Sequence, residues 1–522
     1  MAPRATPRTW LGLAVLVLPM LLIAVDGMVL VFALPAISEE LSPTGVEQLW
    51  ILDIYSLMIA GLLITMSSIG DRIGRRRLLL IGAVGFALAS VLGALSTEPW
   101  MLIASRALLG VAGATIMPST LSLIRNMFLV RDQRRLAMAV WGAMASAGAA
   151  GGPIIGGWII EHLSWHAAFL MNIPVMIVLV VLAPIFIPES RNPAQGRIDI
   201  VSAALSLAGM IPLVYGIKVL AEGGRVPLAL LAIAAGLLFL GFFVRRQLRV
   251  DNPMINVRLF RVRAFSGAVI TDLVSVFALI GSLFALTQYL QLVAGLSAME
   301  SALWLLPQTA VAAVAGFLAA SLVKRIPASF LVGAGGVVTA SGFAMLLTLS
   351  PSSGPVPIAI ALCLVALGTG VGMTLTNDII MSSVRSENSG QAAAVSETAY
   401  ELGTALGTAV LGSLLLAFYR TGLADGERLG IPGDALQGAR ETLAEALAIA
   451  AELAGSAGAA LTALAQEAFT SALAWTGGVG ALLLIAAAVF AGVMLRGVSA
   501  QADLADAHEE AASADLQASE RA

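Results

Sequence analysis

Long apolar runs separated by short polar joints recur along the whole chain. They fall at about 10–34, 47–68, 78–97, 100–124, 137–160, 165–187, 199–221, 226–244, 265–293, 299–321, 328–349, 356–384, 391–419 and 470–495. A helix needs about 20 predominantly apolar residues to cross a bilayer, and the two shortest runs, 78–97 and 226–244, are nearly free of charge. The pattern predicts an all-α polytopic membrane protein with fourteen transmembrane helices. The first run, Trp10 to Leu34, is too long for the apolar core of a cleavable signal and is read as the first span.

Composition agrees with this reading. Of 522 residues, 59% are hydrophobic and 12% charged, against roughly 45–50% and 25% in soluble domains. That leaves too little polar surface for a multi-domain soluble enzyme, and too much apolar material for disorder. Mean hydropathy is +0.93 over the chain, which means many spans rather than one anchor. The single cysteine, Cys363, cannot form an internal disulfide, and His162, His166 and His508 make no ligand cluster, so no metal is expected. No G-x-x-x-x-G-K-[ST] loop occurs, so no nucleotide cofactor is expected and the energy for any work must come from an ion gradient.

The basic residues test the span count, because cytoplasmic loops carry the excess of Lys and Arg. With the N-terminus inside, all but six of the 29 Lys and Arg fall in cytoplasmic segments. Four (Arg225, Arg420, Arg428, Arg440) fall outside, and two (Arg106, Lys218) fall within spans. Both termini are therefore expected in the cytoplasm of a bacterial cell whose inner membrane the chain crosses. Fourteen spans divide as 6+2+6: an N-terminal six-helix bundle (1–190), two central helices with a linker (191–263), a second bundle (264–500) and an acidic tail (501–522). Residues 420–469 are expected to form an external helical hairpin, with Asp434 as a cap and a second helical stretch after Gly455 and Gly458.

Three stretches carry a family pattern. Ser67-Ser68-Ile69-Gly70-Asp71-Arg72-Ile73-Gly74-Arg75-Arg76-Arg77 resembles the signature loop of the major facilitator superfamily, with Ser67 in place of the first glycine. Gly74 permits a tight turn between helices, Asp71 can hold Arg75 at a helix end, and such a charge cluster can latch the two halves on the cytoplasmic face. Gly148-Ala149-Ala150-Gly151-Gly152-Pro153-Ile154-Ile155-Gly156-Gly157 is similar to the antiporter motif of drug:proton exchangers. Its small residues four apart let helix backbones approach closely. Asp26 to Pro35 resembles the first span of the fourteen-span drug:proton antiporter subfamily, with Met28 and Val31 at its polar positions. Trp50–Tyr55, Arg106 with Gly110, Trp165–Pro174 and Ser396–Gly403 continue the match. The resemblance is closest to bacterial quaternary-ammonium and multidrug efflux pumps. It implies two pseudo-symmetric six-helix bundles that expose a central site alternately to each face.

An ionisable residue inside a span is a functional candidate, because its burial is costly. Apart from Glu47, Asp199, Lys218 and Glu300 near span ends, there are seven: Asp26, Asp53, Arg106, Asp272, Asp378, Glu397 and Glu401. At ~1.5 Å per residue, Asp26 lies ~12 Å, and Asp53 and Arg106 ~9 Å, below the outer boundary. The three are expected to form one carboxylate–guanidinium cluster. Asp272, Asp378 and Glu397 lie ~10 Å from the cytoplasmic boundary, and Glu401 sits one turn deeper than Glu397 on the same face. No basic residue inside a span of that half neutralises them. An acid held from water without a cationic partner can exchange a proton or attract a cation.

Asp26, Arg106, Glu397, Glu401 and Asp53 are the candidates for proton coupling. Glu397, Glu401, Tyr400, Asp272, Asp378, Tyr55, Gln288, Asn377 and Trp50 are the candidates for substrate contact, aromatic faces being favourable to cations. Asp71, Gly74, Arg75, Gly148, Gly152, Pro153, Gly156 and Gly157 are assigned to the conformational motifs. The expected function is proton-coupled export of lipophilic, often cationic drugs by a monomer with no nucleic-acid partner. Export of a single endogenous metabolite is the alternative, since exporters of that kind share these motifs.

Overall fold

The structure is a computed structural model that describes residues 4–191, 199–223, 225–250, 253–384, 389–424, 431–453 and 456–496. The expected acidic tail lies outside the described residues, as do Arg385, Asp425, Glu427 and Arg428. Fourteen described helices are long and apolar enough to span a bilayer. They are α1 (Pro7–Leu41), α2 (Gly45–Ile73), α3 (Arg75–Ala94), α4 (Pro99–Met127), α5 (Asp132–His162), α6 (Trp165–Phe186) and α7 (Ile200–Ala221). The series continues with α8 (Val226–Gln247), α9 (Arg263–Val293), α10 (Ala298–Leu322), α11 (Ala328–Thr348), α12 (Pro355–Ser382), α13 (Gln391–Gly422) and α14 (Ser456–Met494).

The joints are short because the helix ends satisfy their own amides. Thr44 and Glu47 cap α2 reciprocally, at 2.9 Å from the Thr44 amide to Glu47 and 3.3 Å from the Glu47 amide to Thr44. Ser297 and Glu300 do the same for α10, at 2.9 and 3.1 Å. The acids at 47 and 300 are therefore caps. Asp199 caps α7 in the same manner, accepting from the Ser202 amide at 3.0 Å.

The two six-helix groups repeat one packing scheme. In the first, α1 packs on α5 and α6, α2 on α4, and α3 on α4 and α6. Adding eight to each number gives the second: α9 on α13 and α14, α10 on α12, and α11 on α12 and α14. The seams between them repeat as well, α2 on α13 matching α10 on α5. Between the groups in sequence, α7 and α8 form a hairpin of their own. For α2, 78% of the most hydrophobic window is buried, but for α8 only 17%, which places α8 at the periphery.

The two faces of the bundle differ. The arginine-rich face is where α1 begins and α14 ends. On the opposite, hairpin face, one apolar core joins both groups: Val31, Phe32, Leu34 and Leu49 pack with Phe284, Leu286, Leu415 and Phe469. Two short helices, Gly433–Ala439 and Leu443–Glu452, cap this core through Leu436 and Leu443. The expected second arm of the outer hairpin is not separate, because α14 begins at Ser456 and runs unbroken through that stretch. Asp434 sits in the first turn of its helix and not at the cap, which is Pro432.

Candidate functional site

In the first group, α1, α4 and α6 bring three polar side chains together inside an apolar bundle. Arg106 Nη1 donates to Asp26 Oδ2 at 2.8 Å, with only 3% and 4% of the two side chains exposed. Asn172 Nδ2 donates to the other carboxylate oxygen at 2.9 Å and to Ser90 Oγ at 3.1 Å. Arg106 Nε donates to the Ile51 carbonyl at 3.2 Å, and its guanidinium carbon lies 4.5 Å from the centroid of the Tyr55 ring. Asp26 thus has a cation and a neutral donor, which a desolvated carboxylate requires. Asn172 lies in the stretch Trp165–Pro174 that carries the family pattern, but nothing in the sequence marks Asp26 as its partner.

The second group supplies the acids from α9 and α13. Asp272 is 5% exposed and accepts from Thr376 Oγ1 at 3.3 Å and from Ser396. Glu397 interacts electrostatically with Asp272, and Glu401 with Glu397, while Tyr400 lies in the field of all three. Among the described residues no Lys or Arg contributes to the field at these acids. Glu401 is 6% exposed and lies beside Ser56 of α2, across the seam between the groups.

Helix α2 therefore touches both sets with adjacent residues. Tyr55 stacks on Arg106 and senses Asp26 and Glu401, and Ser56 lies beside Glu401. The Tyr55 hydroxyl is buried without a hydrogen-bond partner. Ser56 was not a sequence candidate, since a lone serine in a span carries no visible signal.

Other candidates lie elsewhere. Asp53 does not join Asp26 and Arg106: Lys218 of α7 approaches its two oxygens at 2.8 and 2.7 Å, and both side chains are fully buried. Lys218 looked like a rim residue in the sequence because it lies close to the end of α7. Trp50 faces the same ammonium, 3.6 Å from its ring centroid, instead of a cavity. Asn377 and Asp378 are exposed near the arginine-rich end of α12. Gln288 lines a cavity of about 40 Å³ at the hairpin face, with Gln48, Phe284, Tyr419 and Glu441.

The two motif segments are placed by contact. Gly74 has φ +116°, a value that favours glycine. Beside it Asp71 holds Arg75 at 2.6 Å, and Glu189 accepts from the amides of Arg76 and Arg77 at 3.0 and 3.3 Å. All these partners belong to the first group. Among the described residues the expected latch between halves is not seen, and the core shared by the two groups lies at the opposite face. In α5, a Cβ on Gly148, Gly152 or Gly156 would meet Leu21, Met28 or Val29 of α1, and one on Gly157 would meet Ala298 and Met299 of α10. Pro153 lies inside this helix, next to the glycine face.

Comparison with known proteins adds the relationships. The family model described as Major Facilitator Superfamily matches residues 16–408. The chain is 44% identical over 493 residues to the multidrug efflux pump LfrA of Mycolicibacterium smegmatis, covering 94% of this chain and 97% of the relative. It is 33% identical over 466 residues to the methyl viologen resistance protein SmvA of Salmonella typhimurium, covering 88% and 93%. A bacterial homologue of the human lysosomal transporter Spinster, solved in an inward-facing and unoccupied conformation, shares the fold with a TM-score of 0.68 at 17% identity. That match covers 94% of this chain and 98% of the other.

Proposed function

The chain belongs to the Major Facilitator Superfamily and is a membrane transporter related to multidrug efflux pumps, not an enzyme, and we propose that it exports lipophilic cations in exchange for protons. The arginine-rich face is read as cytoplasmic, by the excess of Lys and Arg that such faces carry. The membrane is then the bacterial inner membrane, and the closed hairpin face is the exit side.

One observation supports this reading above the others. Among the described residues Asp272, Glu397 and Glu401 form an acid set with no Lys or Arg in its field, and Glu401 lies beside Ser56 on the helix that also contacts Arg106. Such acids suit exchange because either a proton or an organic cation removes the charge that burial disfavours. Tyr400, beside all three, offers a ring face to the cation. Protons entering from the exit side neutralise the acids and release the cation. Deprotonation toward the cytoplasm restores the site. Asp26, paired with Arg106, is read as the first-group proton site, and movement of α2 links its state to that of Glu401. If one monovalent cation exchanges for one proton the cycle is electroneutral, and each extra proton adds ~2.3 kcal/mol per 100 mV.

Competition for one carboxylate set is tested by proton release. Adding tetraphenylphosphonium to purified protein in weakly buffered detergent is expected to acidify the medium. The Glu397→Gln and Glu401→Gln variants should release fewer protons and bind the cation more weakly. Tight binding with no proton release would contradict the exchange reading.

A further inference from the structure

The inserted pair α7–α8 lies over the seam where α2 meets α13, and α7 touches both. Its two contacts differ in kind. Toward α2 they are polar and buried: Lys218 holds Asp53 at 2.7–2.8 Å under the Trp50 ring, and Ser206 Oγ donates to the Gly61 carbonyl at 3.2 Å. Leu207 and Met210 also fill the groove that Gly61 leaves. Toward α13 the contact is apolar: Met210 and Val214 of α7 share a core with Ala405 and Ala409 of α13, a core that Leu57 and Ala60 of α2 also join. Lys218 and Ser206 of α7 both bond to α2. The base of the pair is fixed internally, Arg246 of α8 reaching Asp199 at 2.9 Å.

We propose that Lys218 is a positioning residue that clamps the inserted helix pair to α2, so that the pair travels with the first six-helix group and slides across α13. The physical reason is the contrast between the two contacts. A desolvated ammonium and carboxylate cannot part without leaving two unpaired charges in a water-free interior. An apolar face has no such penalty for a shift of register. The seam under the pair is where Ser56 meets Glu401, so a cover fixed on one side keeps lipid from the polar contact while the other side moves. Asp53 then belongs to this clamp, which agrees with its complete burial.

The proposal rests on alternating access, and its test separates the two. In a Cys363→Ser background, spin labels replace Leu237 of α8, Leu88 of α3 and Leu482 of α14, all exposed side chains. Distances are measured in lipid nanodiscs with and without tetraphenylphosphonium, at acidic and neutral pH. The 237–88 distance is expected to hold while 237–482 shifts. A shift of 237–88 with 237–482 constant would overturn the proposal alone. Constancy of both would overturn alternating access and the proposal with it. Efflux provides a second readout: Lys218→Met is expected to lose it, and the apolar pair Asp53→Leu with Lys218→Met to recover most of it. Full efflux by Lys218→Met, or no recovery in a double variant inserted at the wild-type level, would overturn the clamp.

Discussion

Asp26 is held by two helices at once, by Arg106 from α4 and by Asn172 from α6. The two donors predict different losses. Arg106→Met leaves a buried carboxylate without its cation, a change that costs about 3–5 kcal/mol, so efflux should vanish and thermal stability in detergent should fall. Pairing it with Asp26→Asn should restore much of the stability but none of the efflux. Asn172→Ala removes one hydrogen bond to a charged group, about 1.5–3 kcal/mol, and should reduce efflux without abolishing it. Equal stability of Arg106→Met and wild type, by thermal unfolding, would contradict the assignment of this pair. At this scale the sequence was partly legible. Depth along α1 and α4 placed Asp26 beside Arg106, because both are interior and of opposite charge. It could not place Asp53, since which neighbour a helix face meets depends on α7, and Lys218 lies too near its helix end to be read as buried. Asn172 and Ser56 carry no charge, so only the folded arrangement shows what they bind.

Helix α5 meets α1 along Gly148, Gly152 and Gly156, spaced so that all three lie on one face. A Cβ on Gly152 would come 2.6 Å from Met28 Cβ. Gly152→Leu should therefore force the helices apart, at about 1–3 kcal/mol, and lower both the melting temperature and efflux. Replacement of Gly142, which has open space around it, should leave the fold unchanged under the same assay. At the base of the inserted pair, burial acts to raise the Asp199 carboxyl, but hydrogen bonds from Arg246 and Ser202 outweigh it and hold it below its ordinary value of 3.8. A group lowered on folding stabilises fully above its unfolded value and less as pH falls through the folded one. The melting-temperature gap between wild type and Asp199→Asn should be present near pH 7 and close as pH drops below 3.8. The fourteen helices themselves were legible because each apolar run is long and bounded by charge or proline. The outer hairpin was only half legible. Gly455 and Gly458 look like breaks, yet Gly458 lies within α14, packed closely on Ala450 and Leu453.

Across the whole molecule, the two groups share an apolar core at the hairpin face. There Ser297 Oγ lies 3.3 Å from Glu161 of α5, and Gln291 Nε2 donates to the Phe32 carbonyl at 3.5 Å. A reducible thiol-to-thiol crosslinker joining Glu161→Cys and Ser297→Cys, in a Cys363→Ser background, should stop efflux until it is reduced. Continued efflux by fully crosslinked protein would show that this face need not part. At the opposite face the described contacts of the signature loop, among Asp71, Arg75 and Glu189, lie inside the first group. The family resemblance implied both bundles and marked both motifs, but a motif does not state which conformation holds it.

In the proposed exchange, inward proton flow drives outward movement of a cation through the acids of α13 and Asp26. It is tested most directly by uptake of a fluorescent lipophilic cation into everted membrane vesicles under an imposed pH gradient. Wild type is expected to accumulate the cation only while the gradient lasts, and Asp26→Asn, Glu397→Gln or Glu401→Gln to lose that dependence. Accumulation by well-inserted wild type that ignores the gradient, or gradient-driven uptake unchanged in all three variants, would contradict the account.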